Sequence, residues 1–352
     1  MNILIIISSL SFGGAEKQAV ADANLLCKEH KVLLVSFISG PLKEQLNKKV
    51  IYFYLKKGNY INTAHRLAKL AKKNEIQIIH SSLFAPMNIS ALTGFFTKVN
   101  VIWSFHSHEY EIPLKSKFSY KIFSRLPWIK KILFVNVELE TFFLKRFKLP
   151  AEKTVVLFNS TKFTKPKAKV INNNMNIFNI GYVGRLVKLK RVHYLIELAD
   201  YLLKNKIEDF KIHIIGDGLE KQILEEYVLK LELGEKIIFY GFQSDTEPYY
   251  ETLDLFINPS EEECLSLALI DAGIKGIPSI AFDVGGNNEI ILNNKTGYII
   301  ATKEELFDKT IQLYRNVALR LKLGKQAILH CDKNFSEDAH LENLLTIYQS
   351  FE

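Results

Sequence analysis

The stretch EEECLSLALIDAGIKGIPSIAFDVGGNNE, residues 261–289, begins just after one predicted strand, LFINPS, and contains a second, SIAF. The residues between these strands have the apolar spacing of a helix. A strand–helix–strand unit of this kind predicts a parallel sheet that helices cover on both faces. Apolar residues alone would form a core, so Glu263, Asp271 and the glycine pair at 285–286 need a separate explanation.

The same alternation of strands and helices extends in both directions along the chain. It predicts an α/β fold with two tandem doubly wound, Rossmann-like domains that face each other across a cleft. The predicted strands are residues 2–8, 31–37, 50–53, 76–80, 100–105, 132–137, 154–158, 177–183, 210–216, 236–241, 255–260, 279–282 and 297–300.

A polar segment rich in Lys and Asn interrupts this alternation and predicts a linker at residues 161–176. Residues 1–160 then form an N-terminal α/β domain, and residues 177–335 form a C-terminal α/β domain. We expect residues 336–352 to form a helix that packs back on the N-terminal domain. Ligands of such sheets bind beyond the carboxyl ends of the strands, so the cleft is the expected site.

The bulk composition of the 352 residues favours a protein of a reducing compartment. The three cysteines are widely spaced and form neither a zinc pattern nor a disulfide framework. The apolar start has no basic leader, and no stretch approaches the roughly 20 apolar residues that span a bilayer. These features predict a cytoplasmic location.

Charge is unevenly distributed and predicts a contact with an anionic membrane. Residues 1–170 carry 27 Lys/Arg against 10 Asp/Glu, whereas residues 171–352 carry 19 against 28. Within the first half, residues 114–131 hold six basic residues, no acidic one and several aromatic residues. Up to Pro127 their spacing predicts an amphipathic helix, and the following Trp128 suits an interface. We expect this segment to attach the protein peripherally to the inner face of the cytoplasmic membrane. A core-facing helix with a solvated basic side is the alternative. A nucleic-acid partner is not expected, because recognition motifs are absent.

Two glycine-containing turns favour phosphate binding. Gly13 and Gly14 follow the first strand and precede a helix that starts near Ala15, where free backbone amides bind phosphate oxygens. A plain strand–helix turn remains the alternative. After Gly184, Arg185 and Lys190 flank another helix start and form a candidate diphosphate clamp. A solvated basic loop is the alternative there, and it is what we expect of Lys188 and Arg191.

The two acidic residues of the opening stretch suit an elongated sugar-containing ligand. Glu263 lies in the loop after a strand, and Asp271 lies eight residues further on, within a helix that we expect to begin near residue 265 or 266. A carboxylate accepts hydrogen bonds from two vicinal hydroxyls, so one acid could bind a sugar and the other a ribose.

In this order, the segments GGAE, GYVGRLVKLKRV, IIGDG, PSEEECLSLALIDAGIKGIPSIAFDVGGNNE and NNKTGYII resemble glycosyltransferase family 4, whose fold is GT-B. The resemblance covers nearly the whole chain. It implies retaining transfer of a hexose or N-acetylhexosamine from a nucleotide-sugar, UDP-linked rather than GDP-linked, without an obligatory cofactor or metal. The implied acceptor is a lipid-linked glycan in the assembly of bacterial surface polysaccharide, lipopolysaccharide or glycoprotein glycans. The resemblance further implies that the N-terminal domain lies on the acceptor side and that the C-terminal domain binds the nucleotide-sugar.

The resemblance also implies residue roles. Arg185 and Lys190 would hold the donor diphosphate, Glu263 the donor sugar and Asp271 the ribose hydroxyls, while His106 would lie beside the transferred sugar. We expect catalysis to depend on Glu263, His106, Arg185 and Lys190. The other expected donor-binding positions are Gly13, Gly14, Ala15, Gly184, Gly216, Phe242, Cys264, Leu265, Ser266 and Leu267.

The chain departs from the family pattern at three places. Asp271 stands where the family has Glu, CLS at 264–266 where it has GFG, and NSTK at 159–162 where it has NGVD. The alternatives are a sugar-nucleotide epimerase or phosphorylase of the same fold and a non-catalytic nucleotide-sugar-binding protein. A metal site at His106, His108 and Glu109 is disfavoured, because no further ligand cluster and no Asp-x-Asp accompany it.

Overall fold

The computed structural model describes residues 1–11, 13–107, 114–162 and 177–351, without the side chains of 114–117. The chain divides into two compact units. Unit 1 comprises Met1–Ser160 and Glu337–Glu352, and unit 2 comprises Thr161–Ser336. Most of the predicted linker lies outside the described residues.

Among its described residues, unit 1 has seven strands in one parallel sheet, followed along the chain by helices that cover it. The strands are β1 (Asn2–Ser9), β2 (Lys31–Ile38), β3 (Ile51–Tyr54), β4 (Ile78–Ser82), β5 (Asn100–Phe105), β6 (Ile129–Phe134) and β7 (Thr154–Val156). The sheet order is β3-β2-β1-β4-β5-β6-β7. The helices are α1 (Gly14–Leu26), α2 (Tyr60–Lys73), α3 (Phe84–Thr97), α4 (Leu114–Phe123) and α5 (Val137–Phe147).

The described part of unit 2 repeats this architecture with six parallel strands. They are β8 (Phe178–Val183), β9 (Phe210–Ile215), β10 (Ile237–Gly241), β11 (Leu255–Asn258), β12 (Ser279–Phe282) and β13 (Gly297–Ile300), in the order β10-β9-β8-β11-β12-β13. The helices are α6 (His193–Lys204), α7 (Lys221–Lys230), α8 (Glu247–Tyr250), α9 (Leu267–Ile274), α10 (Asn287–Ile290), α11 (Lys303–Arg315) and α12 (Val317–Phe335). The last helix, α13 (Glu337–Gln349), belongs to unit 1.

The predicted fold class is confirmed, because both sheets are parallel and Rossmann-like. The central strands are mostly apolar because helices cover both of their faces, and β4 is buried at every position although it contains His80, Ser81 and Ser82. None of the helices in the described ranges combines the length and apolarity needed to cross a membrane.

One strand lies three residues before its predicted place. The sequence predicted residues 132–137, whereas β6 is Ile129–Phe134. The physical reason is helix capping: the Asn136 side chain accepts a hydrogen bond of 2.6 Å from the Leu139 backbone N–H and so starts α5.

The segment 114–131 is not one amphipathic helix. Helix α4 ends at Phe123, and β6 starts at Ile129. Trp128 is only 8% exposed and donates its indole N–H to the Ala91 carbonyl at 2.8 Å, and Tyr120 is fully buried. The prediction of an interfacial Trp128 is therefore wrong, because the indole completes the core against α3.

Gly94 of α3 lies where the Trp128 ring crosses the helix, so a Cβ atom at this position would overlap the indole. We predict that Gly94→Ala lowers the free energy of unfolding, because overpacking against the indole costs about 1–3 kcal/mol. The higher helix propensity of alanine offsets roughly 1 kcal/mol of this loss. Thermal unfolding measures the difference. Gly58→Ala is the matched control, since its new Cβ would meet only Thr63 Oγ1 at 3.9 Å. A Gly94→Ala protein as stable as the wild type would contradict the packing argument.

Candidate active site

The Glu263 carboxylate is the centre of a polar cluster at the carboxyl edge of the sheet in unit 2. Its Oε1 atom accepts hydrogen bonds from Lys190 Nζ at 2.6 Å, Ser260 Oγ at 2.9 Å and Asn258 Nδ2 at 3.1 Å. Asn258 ends β11, and Lys190 lies in the short 3₁₀ turn Lys188–Lys190 that follows β8. Since β8 and β11 are neighbours in the sheet, their following loops meet.

The sequence assigned Lys190 and Glu263 to separate parts of a ligand, but the structure pairs them directly. The two side chains are 16% and 14% exposed, so the ion pair is only partly screened by water. Lys190 Nζ also lies 3.4 Å from the Glu262 carbonyl oxygen. The pair holds a cation and an anion in fixed positions at the carboxyl edge of the sheet in unit 2.

A second ion pair joins the same two loops. Arg191 Nη2 lies 2.8 Å from Glu261 Oε1, and the Glu261 backbone N–H donates to the Leu189 carbonyl at 2.8 Å. Arg191 was expected to be a solvated cation, and this expectation is wrong. The sequence does contain a charge pattern for these pairs, with three acids at 261–263 after β11 and the adjacent cations Lys190 and Arg191 after β8.

Arg185 is an exposed cation of this region, and Tyr182 supports its backbone. The Tyr182 hydroxyl, at the end of β8, donates to the Arg185 carbonyl oxygen at 3.0 Å. Burial raises the pKa of Tyr182 strongly, and the nearby Glu263 charge raises it further, against the opposing effect of Arg185. The phenol therefore stays a neutral donor, and the Arg185 side chain extends into solvent.

The glycines of the site bring loop backbones together. Gly216 has φ +142°, and a Cβ atom there would overlap the Gly184 carbonyl oxygen. Gly285 has φ +54°, and a Cβ atom there would overlap the Glu263 carbonyl oxygen, while the Gly286 N–H donates to the Cys264 carbonyl at 2.7 Å. The glycine pair at 285–286 is thus explained by the close approach of the loop that carries Glu263.

Residues after Glu263 form the start of α9. Ser266 is the N-cap and receives hydrogen bonds from the Leu269 N–H at 3.4 Å and Asn258 Nδ2 at 3.1 Å. The helix begins at Leu267, one or two residues later than predicted, because Ser266 caps it rather than joining it. Cys264 is half-buried and Leu265 is buried.

Asp271 belongs to a different set of contacts from Glu263. It lies in α9 and its Oδ1 atom accepts a hydrogen bond from Thr161 Oγ1 at 2.6 Å. Its charge raises the pKa of the buried Tyr250 in addition to the main effect of burial. Phe242, directly after β10, is exposed.

In unit 1, the predicted glycine turn is the start of α1. Gly13 is its N-cap, Gly14 has open space at its Cβ position, and Ala15 is buried. The first turn also contains Glu16, which accepts a hydrogen bond of 3.1 Å from Ser9 Oγ. Its carboxylate already provides negative charge at the positive end of this helix.

His106 directly follows β5 and is neutral near pH 7. Burial lowers its pKa to about 4, with Asp22 opposing this shift and His80 and His340 adding to it. The Nδ1 atom is buried and has no hydrogen-bond partner among the described residues. His108 and Glu109 lie outside those residues, and no group of three or more His, Cys, Asp or Glu in the described ranges could hold a metal ion.

Two family descriptions match the chain in tandem. "Glycosyltransferase Family 4" matches residues 12–161, and "Glycosyl transferases group 1" matches residues 163–330. Together they cover most of both units. The chain belongs to glycosyltransferase family 4.

Curated relatives of this family member are distant. The poly(ribitol-phosphate) alpha-N-acetylglucosaminyltransferase of Staphylococcus aureus (strain COL) is 29% identical over 49% of this chain, and the match spans only 35% of that protein. The UDP-Gal:alpha-D-GlcNAc-diphosphoundecaprenol alpha-1,3-galactosyltransferase of Escherichia coli is 26% identical over 79% of this chain and 76% of its own length.

Among solved structures, Anabaena HepE in complex with UDP has the same fold. The TM-score is 0.87 over 99% of this chain and 100% of that chain, at 19% sequence identity. This likeness confirms the GT-B fold. The two family matches identify the protein as a glycosyltransferase.

The Gly285 contact gives a test of the loop that carries Glu263 in this glycosyltransferase. We predict that Gly285→Ala displaces the Glu263 backbone and adds strain of about 1–2 kcal/mol, because alanine disfavours the left-handed conformation. Turnover should therefore fall by a large factor, whereas the free energy of unfolding should fall only by about the strain energy. Donor turnover and thermal unfolding are measured together. Gly234→Ala is the matched control, because its Cβ would meet nothing within 4 Å. Full turnover by Gly285→Ala would show that the loop does not depend on this glycine.

Proposed function

We propose that this glycosyltransferase is a retaining enzyme that moves a hexose or N-acetylhexosamine from a UDP-sugar to a lipid-linked or polymeric glycan during bacterial surface glycan assembly. The observation that carries the proposal is the Glu263–Lys190 ion pair beside the exposed Arg185, at the carboxyl edge of the sheet in unit 2. The donor and acceptor classes are supported by the relatives from Escherichia coli and Staphylococcus aureus.

The proposed reaction is a front-face substitution. The bond between the anomeric carbon and the phosphate oxygen breaks, and its electron pair stays on the leaving diphosphate. The acceptor oxygen bonds to the same face of the sugar, and its proton passes to the diphosphate. Arg185 and Lys190 stabilise the negative charge that develops, which is the kind of interaction that lowers the barrier most. Glu263 keeps Lys190 in place through its 2.6 Å contact.

Transfer without a metal or other cofactor is part of the proposal. Lys190, held by Glu263, and the exposed Arg185 supply positive charge that a divalent ion would otherwise bring to the diphosphate. Turnover in a chelator is therefore expected to equal turnover in added magnesium.

The function is tested by mixing UDP-sugars and GDP-sugars with polyprenyl-diphosphate-linked GlcNAc and following nucleoside diphosphate release and the product anomer. We predict that Lys190→Ala reduces turnover about 10²–10³-fold, since it removes charge stabilisation in the transition state. Arg191→Ala is the matched control, because this neighbouring cation pairs with Glu261 instead of Glu263. Equal losses in the two variants would contradict the assignment of Lys190.

The same assay separates the alternatives. Interconversion of UDP-sugars without acceptor would indicate an epimerase, and glycan cleavage that needs phosphate would indicate a phosphorylase. Donor binding without turnover would indicate a sensor. Turnover with GDP-sugars only, or a product of inverted anomeric configuration, would overturn the corresponding part of the proposal.

A peripheral attachment to the cytoplasmic face of an anionic membrane completes the proposal. Phe118 and Ile122, four residues apart on α4, are 57% and 53% exposed, so they share one face of the helix. Lys121 Nζ lies 5.7 Å from the Phe118 ring centroid, and Arg125 is exposed in the following turn. Apolar side chains beside cations suit the boundary between lipid headgroups and acyl chains.

We predict that Phe118→Ser/Ile122→Ser weakens sedimentation with phosphatidylglycerol vesicles several-fold, because it removes the apolar part of the contact. Wild-type binding should weaken in high salt and on neutral phosphatidylcholine vesicles. Ile223→Ser/Leu229→Ser in unit 2 is the control, since both residues are exposed on α7. Equal binding by the two double variants would remove α4 as the contact.

A further inference from the structure

The C-terminal helix α13 places two polar side chains in the interior of unit 1. His340, Leu344 and Tyr348 lie on its buried face, and Leu344 and Tyr348 join the hydrophobic cluster around β1 and α1. Burying polar groups costs free energy unless their hydrogen bonds are satisfied. His340 and Tyr348 each form hydrogen bonds with other residues of unit 1. The contacts of His340 are the charged arm of this network, and the contacts of Tyr348 are its neutral arm.

The charged arm joins α13 to α1. His340 Nε2 lies 2.8 Å from Asp22 Oδ1, and His340 Nδ1 lies 2.7 Å from the Phe158 carbonyl oxygen. Both partners are acceptors, whereas a neutral imidazole has one N–H. A doubly protonated His340 beside an ionised Asp22 satisfies both contacts, and Gln18 Nε2 lies 3.2 Å from His340 Nε2 as a third polar neighbour.

Gln18 fixes the carboxylate side of this pair. Its Nε2 atom donates to Asp22 Oδ1 at 2.6 Å, and its Oε1 atom accepts from the Ser160 backbone N–H at 3.0 Å. All three side chains, Gln18, Asp22 and His340, are buried. A buried ion pair with these additional hydrogen bonds costs several kcal/mol to break from one side only.

The neutral arm joins α13 to the two strands that lead to His106. The Tyr348 hydroxyl lies 2.7 Å from His80 Nδ1, and His80 Nε2 lies 2.6 Å from Ser104 Oγ. Burial lowers the pKa of His80 to about 4, with Asp22 opposing the shift. His80 is on β4 and Ser104 is on β5, two residues before His106.

We propose that the buried ion pair of Asp22 and His340 holds α13 in unit 1, and that α13 in turn positions His106 for the reaction. The positioning contacts run from Tyr348 on α13 to His80 on β4, and from His80 to Ser104 on β5, two residues before His106. Loss of either charge of the pair leaves the other buried without its counter-charge and weakens the attachment of α13. The link to the reaction rests on the role proposed for His106, whereas the ion pair itself does not.

The charges that face His340 set the expected pH dependence. They are Asp22 on α1, Glu337 on α13, His80 on β4 and His106 after β5. Burial lowers the pKa of His340, but Asp22, the Phe158 carbonyl and Glu337 raise it above its ordinary value of 6.5 overall. Burial raises the pKa of Asp22, but His340 and Gln18 lower it below 3.8 overall.

The sign of each contribution follows from linkage. The raised pKa of His340 gives stability that is complete below pH 6.5 and is lost as the pH rises through the folded-state pKa. The lowered pKa of Asp22 gives stability that is present above pH 3.8 and is lost as the pH falls through its folded-state pKa. The pair is therefore fully effective between these two ordinary values, and it is lost on the alkaline side through His340 and on the acid side through Asp22.

The test is ¹⁵N NMR of the histidine rings in the full chain, with resonances assigned by single His→Gln variants. At pH 7.5 the wild type should show two slowly exchanging ring N–H signals for His340. Asp22→Asn, which keeps the shape but removes the charge, should lower the titration midpoint of His340 by more than about one pH unit. It should also shift the His106 ring signals. Tyr348→Phe is the control: it breaks the neutral arm and should leave His340 doubly protonated.

A second experiment compares the pH profiles of UDP-sugar turnover in the wild type and the variants. Asp22→Asn should move the alkaline limb of kcat to lower pH, with Tyr348→Phe keeping the wild-type limb. A neutral His340 in the wild type at pH 7.5 would overturn the ion pair. Unchanged His106 signals and an unchanged limb in Asp22→Asn would overturn the positioning role. Where no UDP-sugar is turned over, the proposed function fails, and the NMR signals of His340 and His106 still decide this inference.

Discussion

Parallel pairing of β8 with β11 is the constraint on which the candidate site depends. Their register places Leu255 opposite Ile180 and Phe256 opposite Gly181, so both strands run in the same direction and end at the same edge. The loop that carries Lys190 and the loop that carries Glu263 then meet without further adjustment. Lys190 and Glu263 are 73 residues apart along the chain, so no local structure can bring them together. Their partly buried ion pair is therefore a consequence of strand order.

Close backbone approach is what makes that edge compact. Gly216 and Gly285 adopt positive φ values and leave room for the carbonyl oxygens of Gly184 and Glu263. A side chain at either position would separate the loops and so separate the charges they carry. These glycines, which the sequence suggested as ligand-binding positions, therefore also have a packing role. The two roles are compatible, because closely packed glycine loops keep their backbone N–H groups near the edge of the sheet.

Unit 1 uses a different kind of interaction, a buried polar network between distant segments. Asp22 and His340 are 318 residues apart, and His80 and Tyr348 are 268 residues apart. These contacts exist because α13 returns to unit 1 after the chain has formed unit 2. The network leaves a charged pair and two neutral imidazoles close together, and this arrangement controls which histidine carries a proton.

The sequence by itself determined the strands, their parallel class and the family. A strand covered on both faces is mostly apolar, and this makes the strands visible without tertiary information. Errors occurred where a local polar contact decided a boundary, as at Asn136 and Ser266, which cap helices. Only the tertiary structure decided that Lys190 pairs with Glu263, that Arg191 pairs with Glu261, that Trp128 is buried and that His340 meets Asp22. The physical reason is that strand order and the return of α13 bring these residues together, and neither leaves a periodic signal along the chain.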